Sequence, residues 1–257
     1  MILCTPISGT AIDYSPQFKE TGFYSTTISA NNDLAADIYY PKPSHINSGN
    51  YSFPIVLLLQ GALLHKSFYS DYASLVARYG FVVVVPNHGR PLPINPNSPP
   101  SLLSETSQIA AVLSQMAIEN AKPTSPIASV FDTQRFGLLG HSFGGAVGLL
   151  VIANKCLPEL YLCQEPFTRS KELLAGAFFG ANLRNPIANE FVPIANDGIA
   201  LVLIQGDIDG VALPERAKST FDKIQTPPKA LMTVMGANHL LTASLKLTAR
   251  RCTVVVC

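Results

Sequence analysis

Apolar residues recur along the chain in two spacings, one typical of buried strands and the other of helices. Unbroken apolar runs at residues 54–59 and 81–85 predict strands of a parallel sheet, buried on both faces. Between these runs, apolar side chains recur every three or four residues and form one helix face, made of Phe68, Tyr72, Leu75, Val76 and Tyr79. Gly80 then predicts the end of this helix.

The same alternation continues to residue 234. Further strands are predicted at 135–139, 173–179, 199–204 and 230–234, and helices around 109–116, over 143–155 and after Pro214. Residues 23–30 and 35–40 predict an N-terminal antiparallel hairpin. We therefore expect an α/β fold with a mostly parallel central sheet, that hairpin at its start and helices on both faces, formed as a single domain over residues 1–257.

Composition narrows the functional classes. The net charge is +1 and no long run of Lys or Arg occurs, so a nucleic-acid partner is not expected. Charged residues make up only 14% and apolar residues 47% of the chain. A large buried sheet is the simpler interpretation of this composition. An exposed apolar surface for an apolar substrate is the alternative.

Sequence patterns typical of membrane spans and of metal sites are weak in this chain. The longest apolar stretch, 136–153, contains His141, Ser142 and five glycines, which predicts a strand, turn and helix rather than an integral membrane span. The first residues lack a basic start and a long apolar core, so we expect no secretory signal and a cytoplasmic protein. The five cysteines show no zinc spacing, and no metal or cofactor is expected. Cys156 and Cys163 are interpreted equally well as a disulfide or as two thiols.

The strongest chemical signal is the motif Gly140-x-Ser142-x-Gly144, which lies between a predicted strand and a predicted helix. In this context the motif forms a sharp turn that holds a strained serine above the sheet, and glycines are needed because side chains there would clash. We interpret Ser142 as a nucleophile. A Gly-rich turn that only packs tightly is the alternative.

A serine nucleophile needs a base, and His239 is the best placed of five histidines. It follows the last predicted strand, where a parallel sheet delivers loop residues to the same edge as Ser142. His141 is expected to point away from the site. Asp207 and Asp209 follow the strand at 199–204, and at this point either carboxylate can orient the base.

An oxyanion hole requires backbone N–H groups directed at the developing negative charge. One is expected from Phe143, directly after the nucleophile. The other is expected from the loop that follows the strand at 54–59, where Ala62 is the best candidate.

Five segments together resemble the α/β-hydrolase superfamily, and within it the branch of chlorophyllases, dienelactone hydrolases and cutinase-like polyester hydrolases. They are DIYYP (37–41), the block 53–88, GLLGHSFGGA (137–146), LIQGDIDGVALP (203–214) and GANH (236–239). The block 53–88 is most similar to chlorophyllases, although the usual His-Gly is replaced by Gln60-Gly61. Plant chlorophyllases carry the acid after the strand that follows the nucleophile helix, and residues 178–182 contain no carboxylate.

The resemblance implies an acid on the next strand. The pattern Gly206-x-x-Asp209 is similar to the acid loop of the family and places the acid at Asp209, with Gly210 allowing a sharp turn. Asp207 is then expected to bond loop amides in a local Asx turn.

The predicted function is hydrolysis of a carboxylic ester with a sizeable apolar part, through an acyl-enzyme on a Ser142–His239–Asp209 triad. Chlorophyll is one candidate substrate, and small acyl or aryl esters are another. Relatives continue beyond the histidine loop into a sizeable final helix, whereas this chain has a short, atypical ending. A non-catalytic or impaired binding protein of the same fold is therefore the alternative. The oligomeric state is not predicted.

Overall fold

The computed structural model describes residues 5–8, 15–28, 34–42, 51–91, 97, 99–240 and 252–257. Its helices are α1 Ser70–Arg78, α2 Gln108–Ala121, α3 Ser142–Ile152 and α4 Pro214–Asp222, with short 3₁₀ turns at Lys66–Tyr69 and Pro158–Leu160. Its strands are β1 Thr5–Ser8, β2 Glu20–Ile28, β3 Leu34–Lys42, β4 Phe53–Leu59, β5 Val82–Pro86, β6 Gly89–Arg90, β7 Ser101–Leu102, β8 Phe131–His141, β9 Leu173–Phe179, β10 Arg184–Asn185, β11 Glu190–Phe191, β12 Ala200–Gly206, β13 Lys229–Val234 and β14 Cys252–Val256.

Ten of the described strands form one sheet in the order β1-β14-β13-β12-β9-β8-β4-β5-β3-β2. The six central strands, β13 to β5, run parallel to one another. Strands β2 and β3 pair antiparallel, from Glu20 opposite Lys42 to Ile28 opposite Leu34. The predicted parallel sheet with an N-terminal hairpin is confirmed, and the arrangement is an α/β-hydrolase fold.

The helices cover both faces of this sheet, as predicted. Successive strand residues point to opposite faces, so Leu57 and Leu58 of β4 belong to different clusters. Leu58 packs with Ala73 and Ala77 of α1. Leu57 shares the larger cluster with buried residues of α2, α3 and α4. Two apolar layers therefore fix the sheet from either side, which holds the carboxyl ends of its strands in a defined relation.

The far edge of the sheet was not predicted. Residues 252–256 form β14, which pairs antiparallel with β13, and β1 pairs antiparallel with β14. Helix α3 also begins one residue earlier and ends three residues earlier than the apolar pattern predicts. Cys156 and Cys163 form a disulfide, which decides between the two interpretations of that pair.

An open apolar depression of about 620 Å³ lies on the sheet face beside α1. Its floor comes from central strands and includes Val56, Leu139, Ala177 and Val202. Neither Ser142 nor His239 lines it, so this depression is separate from the predicted site.

None of the helices in the described ranges is long and apolar enough to cross a membrane.

Candidate active site

Ser142 lies at the sharp turn between β8 and α3. Its backbone has a φ of +53°, a left-handed conformation that costs a non-glycine residue free energy, and this confirms the strained turn expected from the motif. The turn can be this tight because the surrounding glycines leave no room for side chains. A Cβ atom on Gly140 would lie 2.8 Å from the Cα of Gly145, and one on Gly145 would lie 2.5 Å from the Cβ of Ala181.

Gly144 fixes the start of α3 against the loop after β4. A Cβ atom there would lie 2.3 Å from the carbonyl oxygen of Leu59 and 2.5 Å from that of Gln60. These are backbone atoms of a central strand end and cannot move aside cheaply. The close approach therefore brings the turn of Ser142 and the predicted oxyanion loop together.

We expect Gly144→Ala to lower the free energy of unfolding by about 2 kcal/mol or more, because the added methyl group overlaps backbone atoms. In a chain of this size that corresponds to a fall in Tm of roughly 4–8 °C in thermal unfolding. Gly210→Ala is the matched control, since a Cβ atom there would meet nothing within 4 Å. Equal Tm values for the two variants would contradict this account of the turn.

His239 lies within hydrogen-bond distance of the serine. Its Nε2 is 2.9 Å from Ser142 Oγ, and its Nδ1 is 2.8 Å from Asp209 Oδ2. Residues 97 positions apart along the chain meet here because the loops after β8 and β13 lie at the same edge of the parallel sheet. The imidazole therefore bridges a hydroxyl and a carboxylate through its two nitrogens.

Asp209 is buried, with 2% of its surface exposed, and both of its carboxylate oxygens accept hydrogen bonds. Oδ1 accepts from the amides of Val211 and Ala212, at 2.9 and 2.8 Å. Oδ2 accepts from Gln205 Nε2 at 3.2 Å in addition to His239. Four donors thus surround this carboxylate and fix its orientation.

The structure brings His239 to Asp209 and not to Asp207. Asp207 accepts a hydrogen bond from the amide of Gly236, in the loop that carries His239. The prediction that Asp207 makes a local Asx turn was wrong. It is Asp209 that makes such a turn, with the amides of Val211 and Ala212. Asp207 instead ties the acid loop to the histidine loop.

Gly180 directly follows β9 and lies within residues 178–182, the segment in which the resemblance to plant chlorophyllases would place an acid. Its φ is +57°, and a Cβ atom there would lie 3.0 Å from His239 Nδ1 and 3.3 Å from Asp209 Oδ2. A side chain at 180 would thus occupy the space beside His239 and Asp209. Glycine leaves that space to a carboxylate from the next strand, β12.

The predicted oxyanion loop turns tightly after β4. Leu64 N–H donates to the carbonyl of Gly61, and Leu63 N–H donates to Leu102, with Leu63 at a φ of +62°. Within the described ranges, the amides of Ala62 and Phe143 take part in none of the backbone hydrogen bonds outside helices and strands. Both amides therefore remain available in the loop and turn where the sequence placed the oxyanion hole.

A buried polar cluster supports this loop from behind. The side chain of Gln60 exchanges two hydrogen bonds with the backbone of His88, whose Nε2 is 2.9 Å from Glu105. Burial raises the pKa of Glu105, but hydrogen bonds from His88 and Ser107 outweigh it and hold this pKa below its usual range. Arg90, next to the same carboxylate, places its guanidinium 5.8 Å from the ring centre of Phe143. Sequence reasoning missed this cluster.

His141 does not point away from the site, and that expectation was wrong. Its ring is fully buried, with its centre 4.9 Å from that of His239. Burial and the neighbouring His239 lower the pKa of His141 to about 4, so the imidazole is neutral near pH 7. Nothing in the spacing of the motif indicates this contact, since it depends on a loop 98 residues away.

No group of three or more His, Cys, Asp or Glu side chains among the described residues is placed to hold a metal ion.

Comparison with known proteins gives one family and several relatives. The Chlorophyllase family model matches residues 16–162, more than half of the chain. The chain is 30% identical to Chlorophyllase-1 of Arabidopsis thaliana over 155 residues, covering 55% of this chain and 45% of the relative. It is 30% identical to the chloroplastic Chlorophyllase-1 of Citrus sinensis over 166 residues, covering 58% and 48%. It is 27% identical to Chlorophyllase-2 of Arabidopsis thaliana over 110 residues, covering 43% and 32%.

The chain thus spans less than half the length of these curated relatives. The family match contains Ser142 and the loop of Ala62, and it ends before Asp209 and His239.

Proposed function

Because the chain belongs to the chlorophyllase family of α/β-hydrolase-fold ester hydrolases, we propose that it hydrolyses carboxylic esters with Ser142 as nucleophile, His239 as base and Asp209 as acid. The observation that carries this proposal is the hydrogen-bond chain from Asp209 through His239 to Ser142, with distances of 2.8 and 2.9 Å. The acid and the base lie outside the matched segment, so this geometry supports the proposal independently of the family match.

The first half of the proposed reaction acylates the serine. His239 Nε2 takes the proton of Ser142 as the hydroxyl oxygen attacks the ester carbonyl, and Asp209 stabilises the imidazolium that forms. The tetrahedral intermediate carries its negative charge on the former carbonyl oxygen, which the amides of Ala62 and Phe143 bind. The carbon–oxygen bond to the leaving alcohol then breaks, and His239 gives its proton to that alcohol.

The second half releases the acid. Water replaces the alcohol, gives a proton to His239 Nε2 and attacks the acyl carbon. The second tetrahedral intermediate collapses, the bond to Ser142 breaks, and the proton returns from His239 to the serine oxygen. The products are one carboxylic acid and one alcohol, and the three side chains return to their starting state.

Exposed apolar side chains on the loops that carry these groups support an ester with a sizeable apolar part. Leu63 follows Ala62, Ile208 precedes Asp209, and Leu240 follows His239; these side chains are 67%, 63% and 50% exposed. An apolar substrate covering them would remove their surface from water, which is favourable. Chlorophyll is one candidate substrate, and small acyl or aryl esters are another.

The direct test is reaction with an organofluorophosphonate probe, followed by mass spectrometry of the labelled peptide. An active serine hydrolase is expected to carry one phosphonyl group on Ser142 and to lose ester turnover in proportion to labelling. A panel of esters that includes chlorophyll then identifies the substrate. A protein that stays unlabelled and turns over none of these esters would instead be a non-catalytic binding protein of this fold.

Among p-nitrophenyl esters, kcat/KM is expected to rise from acetate to octanoate. Each methylene that becomes buried contributes up to about 0.8 kcal/mol, which is up to about four-fold in kcat/KM. A steady fall along the series would contradict an apolar acyl site.

A variant pair locates this preference. Ile208→Ser is expected to lower the ratio of kcat/KM for the octanoate ester to kcat/KM for the acetate ester. The reason is that it removes an exposed apolar side chain beside Asp209. Phe23→Ser is the matched control, since Phe23 is 54% exposed on the edge strand β2. An unchanged ratio in the Ile208 variant would place the acyl group elsewhere.

A further inference from the structure

A continuous set of hydrogen bonds joins the oxyanion loop to the loop of His239 underneath the proposed triad. Gly61 N lies 2.7 Å from Tyr69 Oη, and Tyr69 Oη lies 3.1 Å from His141 Nδ1. His141 Nε2 in turn lies 3.1 Å from the backbone carbonyl oxygen of His239. One end of this set is the backbone of Gly61, next to the proposed oxyanion donor Ala62. The other end is the backbone of His239, the proposed base.

The direction of every bond follows from the groups at the two ends. A carbonyl oxygen only accepts, so His141 Nε2 carries the hydrogen. In a neutral imidazole the other nitrogen is then an acceptor, so the Tyr69 hydroxyl donates to Nδ1. The tyrosine oxygen still accepts the N–H of Gly61. All three bonds are therefore satisfied at once by a single tautomer of His141.

The protonation states agree with this direction. The charged groups facing His141 are His239 and Asp209, and burial together with His239 keeps His141 neutral. Tyr69 is fully buried, and burial raises its pKa well above its usual value, so its hydroxyl keeps the proton it donates. His141 is therefore held as the neutral tautomer with its hydrogen on Nε2.

The geometry leaves little freedom for these groups. A Cβ atom on Gly61 would lie 2.8 Å from His141 Nδ1 and 3.2 Å from Tyr69 Oη, so only glycine permits this approach. The imidazole of His141 stacks on Phe179 and on Phe68, with ring centres 5.4 and 6.4 Å away. Packing therefore fixes the plane of the ring, and the hydrogen bonds fix its rotation.

We propose that Tyr69 and His141 are positioning residues for ester hydrolysis, which hold the oxyanion loop and the backbone of His239 in one fixed geometry. The proposal rests on the function proposed above. Both side chains act through backbone groups beside the reacting atoms, the N–H of Gly61 and the carbonyl of His239. A hydrogen bond in a buried, low-dielectric setting is strong. Because these three bonds share Tyr69 and His141, they act together against displacement of either loop.

The test is Tyr69→Phe, which removes one hydroxyl and leaves the ring. We expect kcat to fall between about ten-fold and about a hundred-fold with KM within about two-fold, because small displacements of reacting groups have effects of this size. The inhibition constant of a trifluoromethyl ketone, whose adduct places an oxyanion next to Ala62 and Phe143, is expected to rise by the factor by which kcat/KM falls. A purely structural role would lower the folded fraction without changing either constant of the folded enzyme.

Tyr72→Phe is the matched control. Tyr72 lies on the adjacent helical turn, packs against Phe179, and its hydroxyl contacts neither Gly61 nor His141. Its kcat and KM are expected to equal those of the unmodified protein. If Tyr69→Phe gives the same result as Tyr72→Phe, the positioning proposal is overturned and the proposed function stands. If the unmodified protein neither labels at Ser142 nor turns over esters, both proposals are overturned.

Three further measurements do not depend on the Tyr69 variant alone. At pH 7, ¹⁵N spectra of the imidazoles are expected to show His141 protonated on Nε2 and unprotonated on Nδ1, and the opposite tautomer would overturn the proposal. His141→Gln keeps a donor for the His239 carbonyl, so it is expected to retain more kcat than His141→Leu. In the double variant Tyr69→Phe/His141→Leu, the loss in kcat is expected not to exceed that of the worse single variant, and multiplied losses would overturn a shared role.

Discussion

Replacing Ser142 with alanine is expected to lower kcat for ester hydrolysis by about 10⁴-fold or more while the protein stays folded. The hydroxyl is the proposed nucleophile, and it lies 2.9 Å from the Nε2 of the proposed base. Alanine keeps the φ of +53° at this turn and adds no atoms next to Gly140 or Gly144. The Tm is therefore expected to stay within a few degrees of that of the unmodified protein.

The measurement combines kcat with fluorophosphonate labelling of the same preparation. Ser219→Ala is the matched control, because Ser219 lies on α4 and its hydroxyl donates to the carbonyl of Glu215 on the same helix. The control is expected to label and turn over normally. A folded Ser142→Ala protein that retains turnover would show that another residue is the nucleophile.

Asp209→Asn is expected to lower kcat by about 10⁴-fold, as the same change does in serine proteases. All four partners of the Asp209 carboxylate are donors, as long as His239 Nδ1 carries its proton. An amide offers only one acceptor oxygen, which the amides of Val211 and Ala212 occupy. The NH₂ group then faces His239 and favours an unprotonated Nδ1. The hydrogen moves to Nε2, which can no longer take the proton of Ser142.

Asp207→Asn is the matched change and is expected to leave kcat within a few-fold, because an asparagine oxygen still accepts from Gly236 N–H. Both variants should be compared per mole of folded protein, with Tm measured in parallel. A larger loss of kcat in Asp207→Asn would reverse the assignment. If kcat is unaffected in both variants, neither aspartate is the third member of the triad.

The strands and helices could be predicted because burial is periodic along each of them. The runs at 54–59 and 81–85 lie on central strands, and the predicted bounds of β4 and β5 are within one residue of those observed. Strand β14 was not predicted, since its residues are only half-buried beside the edge strand β1 and carry little periodic signal. The disulfide between Cys156 and Cys163 also could not be deduced, because spacing alone does not fix the geometry of a pair.

The candidate site was predictable to the extent that it depends on local turns. The nucleophile turn needs its glycines wherever it occurs, and a loop after a parallel strand always lies at the same edge of the sheet. These two rules led to Ser142 and His239. The resemblance then favoured Asp209 over Asp207. In the structure it is Asp209 that contacts His239.

The sequence by itself determined the succession of the longer strands and helices up to residue 234, the turn at Ser142 and the loops that carry His239 and the two aspartates. Each of these follows from spacing within a few residues, which the chain encodes directly. Only the tertiary structure decided which aspartate meets His239, and that His141 and Tyr69 join the oxyanion loop to the histidine loop. Apart from the bond between Gly61 and Tyr69, these contacts link residues 30 to 98 positions apart. They depend on strand register and on helix packing against the sheet, which no local pattern specifies.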